Sequence, residues 1–238
     1  MAGLLYHLWT KRYYLRFIPI PLSAVEVVDN DGWLLPASQE ATARGNPWFE
    51  TFDLTTETGL RKTLASIQNV SPFAAKTGVP SYADIDFERW IREVSTKPFF
   101  CTDATQMFIL AAWNQGLKAR EWHLLPPGWP SGQGHSVAEY FNPATGRWQL
   151  VDPQHAAVFR NKSDRLLGMS DVLRSFFADG KDGIVIDYGE FEALIRSGAR
   201  GPTSEQYFFE GNLLKTPVLQ LRQSTWFAEV PRHGPLGG

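Results

Sequence analysis

Cysteine is the scarcest residue type in this chain, which has one, Cys101, among 238 residues. A single cysteine cannot form a disulfide within the chain, and it cannot build a zinc site with several cysteine ligands. A disulfide-stabilised scaffold and a cysteine-rich zinc domain are therefore both excluded. The two main roles that remain for Cys101 are that of a small core residue and that of a reactive thiol.

The chain also lacks an excess of charge of either sign. It has 23 Lys and Arg residues against 25 Asp and Glu residues, which gives a formal net charge of −2 at pH 7. This balance provides no overall positive field for nucleic acid or for an anionic membrane surface. We therefore expect no nucleic-acid partner, and the charge says nothing about the oligomeric state.

Long hydrophobic runs are missing as well. No run approaches the ~18 apolar residues of a membrane-spanning helix, so no membrane span is expected. Residues 1–25 carry three basic residues and no acidic one, and their apolar run is broken by Pro19 and Pro21. This pattern favours an N-terminal strand or core segment of a cytoplasmic protein. The alternative is that residues 1–25 act as a signal for export.

Length and composition are those of an ordinary globular chain, with 43% hydrophobic and 20% charged residues. A chain of this length buries roughly 70–75% of its unfolded surface. We predict one α+β domain, residues 1–238, in which residues 82–154 form a catalytic-like core with a helix packed on an antiparallel β-sheet. Residues 1–81 and 155–230 are predicted additions to that core, and residues 231–238 a flexible tail.

The single cysteine lies where a helix is predicted to begin. From Ala104 onward apolar residues recur at i, i+3 and i+4, Asp103 and Gln106 have the spacing of a capping box, and Gly116 provides a stop. Cys101 is therefore expected within about two residues of the helix N-terminus. Unpaired backbone N–H groups and the helix dipole give that end partial positive charge, which favours a thiolate and can stabilise an oxyanion.

A predicted β-hairpin follows and contains a histidine that can act as a base. Residues 135–141 are typical of a strand, residues 142–146 of a turn, and residues 147–151 of the returning strand. A four-residue loop that joins Phe141 to Gly146 sets His135 directly opposite Asp152, and a five-residue loop shifts the pairing by one residue. In either register the two residues lie on neighbouring strands, where a carboxylate can fix the tautomer of an imidazole and stabilise its charged form.

Two other histidines compete with His135 for the role of base. His123 lies on the strand before the hairpin, and His155 follows shortly after Asp152. A zinc site made of Cys101, His135 and Asp152 is chemically possible, but it contains no close-spaced ligand pair and ranks below a thiol site. We therefore predict no metal and no cofactor.

Four segments together resemble the transglutaminase-like superfamily of the papain-like cysteine enzymes. They are CTD at 101–103, GLKAR at 116–120, HSVAEY at 135–140 and WQLVDP at 148–153. The resemblance covers roughly a quarter of the chain, with boundaries good to a few residues. It implies a transglutaminase-like core in which Cys101 is the nucleophile, His135 the base and Asp152 the residue that orients the base.

The chemistry implied by the resemblance is acyl transfer through a thioester on Cys101. The thiol attacks an amide or peptide carbonyl, and His135 protonates the departing amine. With water as acceptor the enzyme is a peptidase or amidase, and with an amine it is a transglutaminase-type acyltransferase. For a compact, bacterial-type domain without evident calcium loops, hydrolysis or a specialised acyl transfer is favoured over protein cross-linking. The alternative is a catalytically silent transglutaminase-like domain kept for binding or structure.

Two tryptophans are candidate substrate contacts. Trp122 precedes and Trp129 lies within the Pro- and Gly-rich segment 126–134, which ends beside His135 and is expected to form one rim of the cleft. The alternative is that Trp122 packs in the core and that Trp129 anchors the loop.

Periodicity and turn residues predict the remaining elements. Helices are expected at 56–67, 84–94, 170–178 and 190–197, and strands at 13–18, 24–35 (as a hairpin), 48–54, 117–125, 184–186, 207–209 and 218–221.

Overall fold

The structure is a computed structural model that describes residues 52–70, 101–124, 134–199, 201–210 and 219–222. Within these ranges the chain combines α-helices with one antiparallel β-sheet, which confirms the predicted α+β class. The strands predicted at 13–18 and 24–35, the helix at 84–94, Trp129 and the C-terminal tail lie outside the described residues. Of the strand predicted at 48–54, only residues 52–54 are described, and they form no strand.

Along the described part of the chain, two helices precede four consecutive strands, after which helices and strands alternate. The helices are α1 (Glu57–Val70), α2 (Cys101–Asn114), α3 (Met169–Asp179) and α4 (Glu192–Arg196). The strands are β1 (Ala119–Leu124), β2 (His135–Asn142), β3 (Arg147–Asp152), β4 (Ala157–Arg160), β5 (Val185–Asp187) and β6 (Leu219–Arg222). Shorter helical turns lie at Gly180–Gly183, Gly189–Phe191 and Gln206–Glu210.

The sheet has the strand order β5-β4-β3-β2-β1-β6, and every neighbouring pair is antiparallel. The predicted hairpin, β2 and β3, therefore lies in the middle. Strands β4 and β5 extend the sheet on one side and β6 extends it on the other. Segments that were predicted as additions to the core are thus strands of the same sheet, and β4 was not predicted at all.

Helix α2 is buried along almost its whole circumference. All residues from 103 to 113 are buried, whereas the sequence predicted a single apolar stripe. The sequence CTDATQMFILAAWN has too few charged residues to form a solvent-facing side, and a helix that is apolar all round lies inside a protein. Phe108 of α2 packs edge-on against Tyr140 of β2, with ring centroids 5.5 Å apart. This packing fixes α2 against the centre of the sheet.

Helix α1 packs on the same core and also supports the turn that follows β3. Leu60, Leu64 and Ile67 are buried at helical spacing. The buried side chain of Gln68 donates hydrogen bonds from Nε2 to the backbone oxygens of residues 153 and 154, each at 2.6 Å. The turn after Asp152 is therefore held from the helix side.

The segment around residue 207 differs from its predicted strand. Residues 207–209 belong to a wide helical turn, Gln206–Glu210, and Phe208 packs fully buried against Phe159 of β4. The tripeptide Tyr-Phe-Phe has strand-like composition, but burial of its aromatic rings against the sheet overrides that local preference. Among the described residues, no helix has the length and apolar character that crossing a membrane requires.

Candidate active site

Cys101 lies at the start of helix α2 and His135 at the start of strand β2, and the residues that follow them hydrogen-bond the helix to the strand. Cys101 is the first residue of α2 in the described part of the chain, and His135 is the first residue of β2. The next residues, Thr102 and Ser136, are hydrogen-bonded through their hydroxyl oxygens at 3.1 Å. Cys101 is partly exposed, whereas only 1% of His135 is accessible. The thiol is therefore the accessible member of this pair.

His135 is hydrogen-bonded to Asp152 inside the protein. Nε2 of His135 and Oδ2 of Asp152 are 2.7 Å apart, and Asp152 is fully buried. A buried carboxylate at this distance fixes the orientation of the imidazole and selects the tautomer with hydrogen on Nε2. His135 begins β2 and Asp152 ends β3, so both side chains project from the same end of the central hairpin.

The strand register that produces this contact differs from both predicted registers. In the structure Ala138 pairs with Val151 and Asn142 with Arg147, so the loop comprises residues 143–146. This pairing is displaced by two residues from the one that sets His135 directly opposite Asp152. Because side chains alternate with a period of two, the displacement leaves both residues on the same face, as diagonal neighbours.

The charges in this site favour an ion pair between His135 and Asp152. Burial by itself lowers the pKa of His135, but the charge and hydrogen bond of Asp152, together with the interaction with Cys101, outweigh it and raise the pKa. Burial raises the pKa of Asp152, but His135 and His155 hold the pKa of this carboxyl well below its usual value. The site is therefore arranged to keep a charged imidazole beside a charged carboxylate.

His155 lies in the same cluster, although the sequence treated it as a rival of His135. Its Nδ1 is 2.8 Å from Oδ2 of Asp152, the same oxygen that contacts His135. The tight turn after β3 brings the two residues together, since the backbone N–H of His155 donates to the carbonyl of Asp152 and Ala156 adopts a positive φ of 54°. The Asp-x-x-His spacing was the sequence signal for this contact.

Ser204 is a site residue that sequence reasoning missed. Its hydroxyl donates to Oδ2 of Asp152 at 2.7 Å and lies 3.2 Å from Nδ1 of His155. Its backbone N–H donates to the hydroxyl of Tyr188 at 3.0 Å, which anchors the segment. No local pattern marks Ser204, because its partner lies 52 positions away.

Tyr207 covers the imidazole of His135 and was also missed. The two rings are stacked, with centroids 4.1 Å apart and planes 3° from parallel. Burial, aided by the charges of Cys101 and Asp152, raises the pKa of Tyr207 to about 12. A half-buried, neutral phenol therefore borders the site beside both the thiol and the imidazole.

Of the two tryptophans predicted to contact substrate, Trp122 packs in the core. Trp122 is fully buried and donates from Nε1 to Oε2 of Glu139 at 2.7 Å, which is the core role left open for it. Trp129 lies outside the described residues. His123 lies on β1, where its backbone pairs with Ser136.

One ring nitrogen of His135 remains available for proton transfer. Nδ1 is buried and makes no hydrogen bond of ordinary geometry with the described residues, while the Cys101 side chain contributes to the raised pKa of the same ring. The arrangement thus combines a thiol with an imidazole that has one nitrogen hydrogen-bonded to a carboxylate and a second nitrogen without such a partner among the described residues.

Comparison with known proteins identifies no relative, since no protein-family model, curated protein or solved structure matches the chain.

Proposed function

We propose that this chain is a thiol-dependent acyl-transfer enzyme with a transglutaminase-like core that acts on an amide or peptide bond. In this proposal Cys101 is the nucleophile, His135 the general base and acid, and Asp152 the residue that orients His135. The supporting observation is the unequal surroundings of the two His135 nitrogens. Nε2 is bound to Asp152, whereas Nδ1 has no hydrogen-bond partner among the described residues and its ring interacts with Cys101.

The proposed reaction begins from a thiolate–imidazolium pair, in which the proton of the Cys101 thiol already resides on Nδ1 of His135. The sulfur then attacks the amide carbonyl carbon and forms a C–S bond, while the carbonyl electron pair moves to oxygen. Collapse of this tetrahedral intermediate breaks the C–N bond, and Nδ1 of His135 returns the proton to the leaving nitrogen. The products of this half-reaction are a free amine and an acyl thioester on Cys101.

Deacylation uses the same groups in the opposite sense. His135 accepts a proton from water or from an amine, which attacks the thioester carbonyl and releases the Cys101 thiolate. Water gives hydrolysis, and an amine gives acyl transfer. The partial exposure of Cys101 above a buried His135 and Asp152 supports the thiol as the point of substrate entry.

The first experiment measures the alkylation rate of Cys101 by iodoacetamide as a function of pH. A thiol assisted by His135 should react at pH values well below the roughly 8.5 of a free cysteine. Mass spectrometry of the intact protein reports the single modification, and Cys101→Ala is the unlabelled control, expected to stay folded because one small side chain is lost near a helix end. Labelling that begins only above pH 8, or only in denaturant, contradicts the proposal.

Histidine variants identify the base. His135→Ala should abolish the low-pH alkylation, whereas His123→Ala should leave it unchanged. His155→Ala removes one of the donors to Asp152 but leaves His135 in place, so its effect should be smaller than that of His135→Ala. If His155→Ala reduces alkylation as much as His135→Ala does, the assignment of His135 as the base is wrong.

Turnover requires a substrate, which a library of peptide amides can provide. Incubation with the library in the presence of hydroxylamine should release acyl hydroxamates, because hydroxylamine cleaves thioesters. The same incubation with Cys101→Ala should release none. Equal release of hydroxamate by the wild type and by Cys101→Ala would show that Cys101 is not the nucleophile. If Cys101 is alkylated rapidly but no peptide is cleaved, a binding role for the site is favoured.

A further inference from the structure

Three atoms able to bind a metal ion converge beside the proposed nucleophile. His135, Asp152 and His155 each offer one ligand atom, and these atoms lie within 4.8 Å of one another. Nε2 of His135 and Nδ1 of His155 lie 2.7 and 2.8 Å from Oδ2 of Asp152. Each of these residues is at most 1% exposed. The proposed thiol chemistry uses His135 and Asp152 directly, whereas His155 enters it only as a hydrogen-bond partner of Asp152. On the same carboxylate oxygen, this buried histidine adds a second imidazole nitrogen that can bind a metal ion.

The hydrogen bonds of the cluster leave buried polar atoms unpaired. His135, His155 and Ser204 all contact the single oxygen Oδ2 of Asp152, whereas its other oxygen, Oδ1, has no hydrogen-bond partner among the described residues. Nε2 of His155 is likewise buried without one. A buried carboxylate oxygen without a donor is costly, and a cation bound by both oxygens of Asp152 would satisfy it.

The donor set indicates which class of metal fits. Two imidazole nitrogens and one carboxylate oxygen form a borderline set that suits Zn²⁺ and related transition metals, whereas Ca²⁺ and Mg²⁺ prefer oxygen ligands. Asp152 and His155 also supply a ligand pair three residues apart, which the set of Cys101, His135 and Asp152 lacks. A tetrahedral Zn²⁺ with ligand distances of about 2.0–2.2 Å needs donor atoms about 3.3 Å apart. The two contacts with Oδ2 of Asp152, at 2.7 and 2.8 Å, must therefore each lengthen by about half an ångström.

We propose that His135, Asp152 and His155 bind one Zn²⁺ ion, and that this ion blocks the thiol chemistry of the site. The metal takes the place of the hydrogens that now join the two imidazoles to Asp152. A neutral imidazole that is coordinated through Nε2 carries its hydrogen on Nδ1. His135 in that state cannot accept the thiol proton of Cys101. The blocking role depends on the proposed function, whereas the metal site itself does not.

Calorimetric titration of the metal-free full chain with ZnCl₂ tests the site directly. The wild-type protein should bind one Zn²⁺, and His155→Gln should bind it at least about tenfold more weakly, as expected for loss of a direct ligand. His123→Gln is the matched histidine control and should bind as the wild type does. Equal affinity in wild type and His155→Gln, or no binding by the wild type, overturns the site.

Cobalt spectroscopy provides a second readout that identifies the ligands. Co²⁺ bound to the folded protein should show the visible bands of a four-coordinate site without a sulfur-to-cobalt charge-transfer band. Cys101→Ser should leave that spectrum unchanged. Asp152→Asn should alter it, and this variant tests the ligand set independently of whether His155→Gln folds. A charge-transfer band that disappears in Cys101→Ser would show that the thiol is a ligand and would overturn the assignment.

The blocking role is tested by alkylating Cys101 with and without saturating Zn²⁺. Zn²⁺ should slow iodoacetamide labelling of the wild type and have little effect on His155→Gln. Binding by calorimetry without slower labelling overturns the blocking role. A Cys101 that fails to react even in the metal-free protein instead contradicts the proposed function, and the calorimetric result on the site is unaffected.

Discussion

The hydroxyl of Ser204 donates a hydrogen bond to Oδ2 of Asp152 at 2.7 Å, across 52 positions of the chain. The same oxygen contacts His135 and His155, so Asp152 is the centre of the cluster. Because Ser204 precedes the turn that carries Tyr207, this hydrogen bond fixes the segment that covers His135. The segment from Ser204 to Tyr207 is therefore part of the candidate site.

Ser204→Ala should destabilise the protein and slow the alkylation of Cys101. A hydrogen bond to a charged group contributes about 1.5–3 kcal/mol, and Asp152 keeps its two histidine contacts without it. Urea unfolding measures the loss of stability, and Ser204→Thr, which retains the hydroxyl, is the matched control. Unchanged stability in Ser204→Ala would mean that this hydroxyl does not support Asp152.

Asp152→Asn should lower turnover by about 10–10³-fold while the fold stays intact. The amide oxygen can accept the hydrogen bonds now made by Oδ2, and its nitrogen can take the place of Oδ1, which has no partner among the described residues. The lost charge no longer favours the charged form of His135, so the acidic limb of the pH–rate profile should change. Profiles of both proteins on the same amide substrate decide the matter. An unchanged profile would reduce Asp152 to a turn residue and leave Cys101 and His135 as a dyad.

The stability of the protein should depend on pH through His135 and Asp152. The raised pKa of His135 stabilises the fold fully below pH 6.5, its ordinary value, and this contribution is lost as the pH rises through the raised pKa. The lowered pKa of Asp152 stabilises the fold above pH 3.8, and this contribution is lost as the pH falls below that value. Urea unfolding of wild type and His135→Gln at several pH values tests this. If the free energy of unfolding of the wild type changes as little at alkaline pH as that of His135→Gln, His135 has no raised pKa.

Tyr207 should act through its ring rather than through its hydroxyl. Tyr207→Phe retains the stack on His135 and should be alkylated at Cys101 at nearly the wild-type rate. Tyr207→Ala exposes the imidazole and loses a stacked pair contributing about 0.5–1.5 kcal/mol beyond its burial. Thermal unfolding and iodoacetamide labelling of both variants separate the two effects. A large loss of labelling in Tyr207→Phe would instead assign the function to the hydroxyl.

The buried ion pair of Arg120 and Glu139 should be essential to stability. Oε2 of Glu139 accepts from Nε and Nη2 of Arg120 at 2.7 Å each, and Oε1 accepts from the backbone N–H of Met169 at 2.7 Å. Removing one partner of such a pair leaves an uncompensated buried charge, so Glu139→Ala should cost about 3–5 kcal/mol.

The exposed pair of Arg196 and Glu192 serves as the control for that prediction. Its loss in Glu192→Ala should cost no more than about 1 kcal/mol by urea unfolding. A double variant of Arg120 and Glu139 should lose less than the sum of the two single losses, because neither charge is then left unpaired. Strictly additive losses would contradict the buried pair.

The sequence by itself determined the parts of the site that depend on local patterns. Apolar periodicity predicted the helix that carries Cys101, and turn residues predicted the hairpin of β2 and β3 with His135 and Asp152 at its open end. These predictions hold because helix spacing and turn preference are set by residues close together in the chain. The same kind of pattern predicted helices at 56–67 and 170–178, which the structure confirms as α1 and α3.

The tertiary structure alone decided the register of the hairpin, the burial of Trp122 and the presence of Ser204 and Tyr207 in the site. The register depends on where the turn closes, and a loop moved by one residue on each strand displaces the pairing by two. Ser204 and Tyr207 reach Asp152 and His135 only when the C-terminal segment packs its aromatic rings against the sheet. Contacts of this kind arise from burial between distant segments, which no local spacing in the sequence encodes.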